Sequence, residues 1–137
     1  MHLYCVDGSN LVRGAGDPGY RVHEDADGEW LVAAFEELCR RLGSGVEIEL
    51  YFDGPRRGSV GREPNLRVLF SHEVEADELI LDRVRSRRWS GTGKVTVVTG
   101  DGELGRQTEE EGGRWHAVRH GTRLEGVLRA IEKRFDK

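Results

Sequence analysis

The chain has 137 residues, 34% of them charged, and a formal net charge of -4 at neutral pH. A single domain of this length buries about two-thirds of the surface that its unfolded chain would expose. The negative net charge argues against a protein coated with basic residues for nucleic-acid binding, although a small net charge can hide segregated patches. Arginine greatly outnumbers lysine. Arginine suits phosphate contacts, but the base composition of a GC-rich genome explains this bias more readily.

The cysteines and the lengths of the apolar runs bear on where the protein resides. Cys5 and Cys39 form no CxxC pair, and both fall in segments that we expect to be buried, which predicts free thiols in the core. No charged-then-apolar leader precedes the first apolar run, and no run approaches the ~18 residues of a membrane span. We therefore expect a soluble, cytoplasmic protein without a membrane partner.

Short apolar runs alternate with amphipathic stretches along the chain. The predicted strands cover residues 2–7, 46–53, 67–70, 94–99 and 115–118. Glycines after the first strand predict a loop, and polar residues 54–65 predict another. The predicted helices cover residues 27–42, 75–88 and 103–111, and a last one begins with Thr122 and Glu125 at the spacing of a capping box.

This order of elements predicts a parallel α/β sheet covered on both faces, in a single domain over residues 1–137. The first strand-to-helix turn lacks GxGxxG, and GxxxxGK[ST] is absent from the sequence. Dinucleotide binding and P-loop chemistry are therefore not indicated.

Aspartates follow three of the predicted strands. Asp7 follows LYCV, Asp53 follows IELYF and Asp101 follows VTVVTG, while Asp77 lies where a helix begins in EVEADELI. In an open parallel sheet the carboxyl ends of the strands share one edge, so these carboxylates should meet. Clustered carboxylates repel one another, and such a cleft usually holds a hard cation. Each aspartate alone is equally typical of a turn or a helix N-cap, most of all Asp53 in FDGP.

The motifs VDGSNL, YFDG, EADELI and VVTGDGEL, in this order, resemble the NYN domain, in particular the YacP-like branch of the PIN-like ribonuclease superfamily. The resemblance extends over nearly the whole chain. It implies a three-layer α/β/α fold with a mainly parallel five-stranded sheet of order 3-2-1-4-5. The ends of the first and fourth strands would then be neighbours, with Asp7 facing Asp101.

The resemblance also implies endonucleolytic cleavage of RNA with Mg²⁺ or Mn²⁺ as cofactor. Asp7, Asp101 and Asp77 would be the metal ligands, and Asp53 would flank them as a fourth catalytic carboxylate. Asn10 would hold Asp7 or contact the substrate, and it is equally well interpreted as a cap of the next turn. Three further acidic residues remain open: Glu75 and Glu78 compete with Asp77, and Glu103 either assists the metal or only occupies the first turn of a helix. The sequence TGDGE has glycine where relatives often carry serine, which removes a hydroxyl but permits closer backbone approach.

The arginine-rich loop after Asp53 is the main candidate for substrate contacts. Arg56, Arg57 and Arg62 would bind phosphates beside the scissile bond, or they belong to a solvated loop. Arg83, Arg85, Arg87 and Arg88 are interpreted as a solvated helix face. Tyr20 and Trp89 are typical of base-stacking residues but more often serve packing. The histidines show no metal-ligand spacing.

The expected partner is RNA in single-stranded or loop regions, and a ribosome or another RNA-processing assembly is a candidate partner. The alternative function is a non-catalytic RNA-binding or protein-interaction module of the same fold. A phosphotransfer receiver is disfavoured, since the first strand lacks an acidic pair and no lysine follows the last strand. The sequence does not specify the RNA target, the number of metal ions or the oligomeric state.

Overall fold

A computed structural model describes residues 2–14, 29–55, 63–91, 94–119 and 124–134, in which strands and helices alternate. The strands are β1 (His2–Asp7), β2 (Val46–Phe52), β3 (Leu66–Phe70), β4 (Val95–Thr99) and β5 (Arg114–Ala117). The α-helices are α1 (Gly8–Gly14), α2 (Glu29–Leu42), α3 (Ala76–Ser90), α4 (Gly102–Glu110) and α5 (Leu124–Lys133).

All described strands pair in parallel, in the order β3-β2-β1-β4-β5. This confirms the predicted sheet and its order. The chain adds β2 and β3 on one side of β1, then crosses to add β4 and β5 on the other. The strand order therefore reverses between β1 and β4, which are hydrogen-bonded over Leu3–Val6 and Val95–Val98. Ligands of open parallel sheets bind beside such a switch point.

Helices cover both faces of the sheet, as the predicted three-layer fold requires. On one face, α1, α2 and α5 pack on the β1 side chains Tyr4 and Val6. On the other face, α3 and α4 pack on the alternate β1 residues Leu3 and Cys5. Cys5 and Cys39 are buried free thiols, as predicted. Burial raises the pKa of the Cys39 thiol to about 12, which keeps it protonated at neutral pH.

Helix α1 was not predicted from the sequence. Its seven residues begin and end with glycine, which favours a loop on propensity alone. Burial of Leu11 and Val12 in the core outweighs that preference. The other described elements lie within one or two residues of their predicted bounds, and residues 27 and 28 of the predicted first helix lie outside the described ranges.

The prediction of a solvated arginine face on α3 is wrong for two of its members. Arg83 donates to the buried carboxylate of Glu49 through Nε at 3.1 Å, and the Tyr51 hydroxyl donates to the same carboxylate at 2.6 Å. Arg87 is 8% exposed and lies 3.5 Å from Glu47. These arginines neutralise carboxylates on β2, since an unpaired charge under α3 would be costly.

No helix in the described part of the chain is long and apolar enough to cross a lipid bilayer.

The His2 side chain gives a testable pH dependence of stability. Its Nε2 lies 2.8 Å from the Thr96 hydroxyl and its ring stacks on Tyr4. Burial, followed by the positive charges of Arg134, Arg114 and Lys94, lowers the pKa of His2 from 6.5 to about 4. Between these pH values the unfolded chain binds a proton at His2 and the folded chain does not, so stability falls as the pH falls.

We expect this loss to be absent in His2→Gln. The free energy of unfolding, measured in urea from pH 7.5 downwards, should decline more steeply for the wild type than for the variant between about pH 6.5 and 4. Above pH 7 the two profiles should run parallel, because His2 is then neutral in both states. Parallel profiles over the whole range would contradict the interpretation.

Candidate active site at the carboxyl edge of the sheet

The hydroxyl of Thr99 joins the two aspartates at the switch point. Thr99 ends β4 with 0% of its surface exposed, and its Oγ1 donates to Oδ2 of Asp7 at 2.9 Å. The same oxygen accepts a hydrogen bond from the backbone N–H of Asp101 at 3.0 Å. The end of β1 and the turn after β4 are thus fixed to one another through a single atom. Thr99 was not among the predicted site residues, and its signal in the sequence is a polar side chain at the end of an apolar strand, two positions before an aspartate.

Asn10 fixes the same two segments a second time. Its side-chain oxygen accepts from the backbone N–H of Gly100 at 2.8 Å, and its own N–H donates to Oδ1 of Asp7 at 3.3 Å. It is the backbone N–H of Asn10 that contacts Asp7, whereas its side-chain oxygen contacts Gly100, and substrate binding by Asn10 stays a prediction. A β-carbon on Gly100 would lie 2.7 Å from the carbonyl oxygen of Val118 and 3.0 Å from the Asn10 oxygen. Glycine at this position therefore permits a close approach of protein groups.

Asp7 and Asp101 each also cap a helix. The Asn10 N–H that donates to Asp7 lies in the first turn of α1. Oδ1 of Asp101 accepts from the backbone N–H groups of Glu103 and Leu104, at 2.9 and 3.3 Å, at the start of α4. Oδ2 of Asp101 accepts no hydrogen bond from any described residue, and the side chain is exposed. Capping therefore leaves Asp101 with one carboxylate oxygen that no described residue occupies.

Asp53 connects α1 to the start of α3. Its backbone N–H donates to the Ser9 hydroxyl at 2.7 Å, and its Oδ1 accepts from the backbone N–H of Ala76 at 2.7 Å. Ala76 is the first residue of α3, so Asp53 caps this helix from another part of the chain. The hydrogen bond gives Asp53 a positioning role, and its proposed catalytic role stays a prediction.

Asp77 is the acidic residue at the start of α3 that the structure singles out. Its Oδ1 is buried and forms no hydrogen bond in the described structure. Glu75 and Glu78, which the sequence left as competitors, are exposed. A buried carboxylate oxygen without a partner is costly, so such an atom commonly marks a place where a ligand or an ion completes the site.

Two separate sets of hydrogen bonds hold the segments that carry the predicted carboxylates at the carboxyl edge of the sheet. One set runs from Asp101 through Thr99 to Asp7, and the other runs from Ser9 through Asp53 to Ala76 at the start of α3, whose second residue is Asp77. The Glu103 carboxylate belongs to neither set, because it pairs with Arg106.

The donor set fits a hard divalent cation. Within residues 2–14, 29–55, 63–91, 94–119 and 124–134, no three His, Cys, Asp or Glu side chains lie close enough together to hold a metal ion by themselves. Mg²⁺ does not require such a group, since it is usually held by one or two carboxylates together with water and substrate phosphate. The open oxygen of Asp101 and the buried, unpartnered oxygen of Asp77 are the kind of ligands that it takes. Three residues proposed to contact substrate lie outside the described ranges, namely Arg56, Arg57 and Arg62.

A cavity of about 420 Å³ lies at the opposite edge of the sheet. Its lining includes Cys39 near the end of α2, Val46 at the start of β2 and Asn65 just before β3. None of the predicted catalytic residues lines it, so this cavity is separate from the candidate active site.

Comparison with solved structures shows the fold. The crystal structure of a mutant of Rae1 (YacP) from Bacillus subtilis superposes with a TM-score of 0.67 at 20% sequence identity, covering 98% of this chain and 79% of that one. No protein-family model matches the chain, and no curated protein sequence matches it. The predicted resemblance to the YacP-like fold is thereby confirmed at the level of structure.

The bridging hydroxyl of Thr99 can be removed almost isosterically. In Thr99→Val the buried Asp7 carboxylate loses a donor and the Asp101 N–H loses its acceptor, so we expect a loss of about 1–3 kcal/mol in the free energy of unfolding. Thr99→Ser keeps the hydroxyl and should lose about 1 kcal/mol or less, for one methyl group. Urea denaturation measures both.

Thr108→Val provides the matched control for Thr99→Val. Thr108 is equally buried, but its hydroxyl donates only to the Leu104 carbonyl within its own helix. Its loss should therefore cost less than that of the Thr99 hydroxyl. Equal losses in the two valine variants would show that the bridge has no special importance.

The glycine between Thr99 and Asp101 can be tested against a nearby glycine. Gly100→Ala should lower the free energy of unfolding by about 1–3 kcal/mol, because the new methyl group meets the Val118 carbonyl and the Asn10 oxygen. Gly102→Ala adds its methyl group in open space at the first position of α4 and should change stability by less than about 1 kcal/mol. Thermal or urea unfolding distinguishes them, and a neutral Gly100→Ala would refute the close approach.

Proposed function

We propose that the chain is a Mg²⁺- or Mn²⁺-dependent endoribonuclease whose active site is the acidic cleft at the carboxyl edge of the sheet. The observation that carries the proposal is the Thr99 bridge, which holds the Asp7 and Asp101 segments together at the switch point. Like charges brought together in this way repel one another unless a cation lies between them. The orphaned oxygen of Asp77 adds a ligand that no protein group satisfies.

The backbone at the cleft favours a phosphate-containing substrate. Helices α3 and α4 both begin at this edge, so their N-terminal partial positive charges lie near the cleft. Carboxylates alone would repel a phosphodiester. Carboxylates with a divalent cation, beside two helix N-termini, would attract it. The combination therefore supports cleavage of a polyanion better than cleavage of a neutral substrate.

The protein residues have distinct proposed roles in the reaction. A bound divalent ion would activate water and neutralise charge that develops on the phosphate. Asp7 and Asp101 would hold that ion, directly or through water, and Asp77 would complete the shell or orient the attacking water. Asn10 and Thr99 keep Asp7 in place, and we assign Asp53 to the placement of α3.

RNA is the proposed substrate, in single-stranded or loop regions. The resemblance to NYN domains supports this choice, and the YacP-like fold agrees with it. In the sequence, Arg56, Arg57 and Arg62 follow the cleft residue Asp53 closely. We propose that they bind phosphates on either side of the scissile bond.

The proposal predicts that cleavage depends on the metal and on three aspartates. A labelled, unstructured RNA should be cut with Mn²⁺ or Mg²⁺, remain intact with EDTA, and be cut again when metal is restored. Asp7→Asn, Asp77→Asn and Asp101→Asn should each lower kcat/KM by at least about 100-fold, which is the upper end of the effect of groups that only orient a metal ligand. Circular dichroism and unfolding curves establish that each variant is folded.

Glu78→Gln is the control, because this exposed carboxylate neighbours Asp77 and should leave cleavage unchanged. Wild-type cleavage by both Asp7→Asn and Asp101→Asn would overturn the proposed site.

The second candidate is a non-catalytic RNA-binding or protein-interaction module of the same fold. The observation in its favour is that Asp7, Asp53 and Asp101 all accept hydrogen bonds at helix starts, so structural selection alone would retain them. Such a module would bind RNA with a steep salt dependence. It would not cut RNA in the presence of any divalent metal. The same cleavage assay therefore separates the two functions.

A further inference from the structure

The face of the sheet that carries α5 presents a row of polar side chains where the strands begin, an edge that we call the amino edge. Val98 on β4 packs in the core on this face, so Thr96 and Lys94, two and four residues earlier, point to the same side. The register pairs Thr96 with Arg114, which places Arg114 of β5 there as well. His2 of β1 joins the row, because its Nε2 lies 2.8 Å from the Thr96 hydroxyl. Side chains from three adjacent strands therefore meet at this edge.

Arg134 brings a further cation to this row from the end of α5. The helix packs on this face through Val127 and Ile131, and the Arg134 N–H donates to the Ile131 carbonyl at 3.2 Å in the turn that follows. Burial, and then the positive charge of Arg134, lowers the pKa of His2 on β1 and of His116 on β5. Because β4 separates these two strands, the Arg134 guanidinium lies within electrostatic reach of both ends of the row.

Three of these side chains form a cluster of like charge. After the larger effect of burial, Arg134, Arg114 and Lys94 each lower the pKa of His2, so all three cations act on one ring. All three are exposed, and no carboxylate within the described ranges forms an ion pair with them, whereas the exposed Arg85 on α3 pairs with two. The negative end of the α5 dipole accounts for a cation at the helix end, but not for cations at the starts of β4 and β5. Cations that repel one another without a counter-charge are typical of a place where an anion binds.

We propose that Lys94, Arg114 and Arg134, which we call the amino-edge cations, form a binding site for a phosphate group. Phosphate suits the cluster because its tetrahedral oxygens can accept hydrogen bonds from cations that approach from two strands and a helix at once. A carboxylate presents two oxygens in one plane, which suits a single guanidinium fork. The shared chemistry of the ligand is therefore phosphate, carried either by an RNA strand or by a small phosphate ion.

The amino-edge cations are distant from the acidic cleft. Lys94 precedes β4 and Thr99 ends it, so about 16 Å of strand separates the two residues at the usual rise per residue. A phosphate held at the amino edge is therefore not the scissile one, and its binding requires no divalent metal. Phosphate binding at the amino edge and cleavage at the cleft are measured independently, so either one can fail without the other.

The first test is urea unfolding of the whole chain with increasing inorganic phosphate, at constant ionic strength and without divalent metal. A ligand that binds only the folded chain stabilises it, so the wild type should gain stability as phosphate rises. The double variant Arg114→Gln, Arg134→Gln should lose this gain, with Kd raised by roughly 10-fold or more, since each arginine supplies a charge-assisted hydrogen bond. Lys94→Gln should show a smaller loss of the same kind. Without phosphate the double variant should be at least as stable as the wild type, because two mutually repelling charges are removed.

The double variant Arg85→Gln, Arg106→Gln is the matched control, because it also removes two exposed arginines, each already paired with two carboxylates. It should keep the whole gain, which separates binding from the general stabilising effect of phosphate as an excluded salt. An equal gain in the wild type and in both double variants would overturn the site. A gain from succinate that is as large as that from phosphate, and equally lost with Arg114 and Arg134, would overturn phosphate as the ligand in favour of carboxylates.

A fluorescent, unstructured RNA oligonucleotide without terminal phosphates distinguishes the two sources of phosphate. Its Kd is measured by anisotropy without divalent metal. If the RNA backbone is the ligand, the Arg114→Gln, Arg134→Gln variant should bind it more weakly than the control variant does. The slope of log K against log salt should also fall by about 1.4, or ~0.7 for each contact with a single strand. Equal RNA binding by both variants, together with a loss of stabilisation by inorganic phosphate, would identify a small phosphate ion as the ligand of the amino-edge cations.

Discussion

The rest of the candidate site depends on the Thr99 hydroxyl, which holds the Asp7 and Asp101 segments together. Two acidic segments that are 92 residues apart in the chain, at Asp7 and Thr99, must stay together although their carboxylates repel one another. A hydroxyl can donate to one segment and accept from the other at the same time, which a methyl group or a carboxylate cannot do. Asn10 joins the same two segments a second time, because its side-chain oxygen accepts from the Gly100 N–H. Each aspartate is also held by N–H groups of the helix that follows it, as Asp101 is by Glu103. The positions of Asp7 and Asp101 are therefore fixed by hydrogen bonds from the surrounding backbone N–H groups.

Charge and helix direction are organised along the same axis. Helices that start at the carboxyl edge place their positive dipole ends beside Asp7, Asp77 and Asp101. At the opposite edge, α3 ends with Arg87 and Arg88, where cations face the negative end of the helix. The described chain therefore places aspartates where α3 and α4 begin and arginines where α3 ends.

The motifs and the aspartates at strand ends are local patterns, which can be recognised in the sequence alone. The sheet order was predicted because the resemblance carried by those motifs supplied the topology. The sequence also singled out Asp7, Asp77 and Asp101, whose shared role in one site stays a prediction, because it depends on contacts between distant segments. Thr99 and the Asp53–Ala76 cap were missed for this reason, since each bond joins residues that no periodic pattern relates. Helix α1 was missed because burial overrode glycine propensity. The arginines of α3 were misjudged because their partners, Glu47 and Glu49, lie on a strand beneath the helix.

The position of Trp115 has an optical consequence. Its indole N–H donates to the backbone carbonyl of Thr99 at 3.0 Å, and its ring lies against Gly105, where a β-carbon would approach it to 2.1 Å. The ring is therefore held between the edge strand and α4 while it contacts the residue that organises the cleft. Trp30 and Trp89 are the other tryptophans of the chain. Trp115 is thus placed to report on the geometry around Thr99 through its own emission, without any attached label.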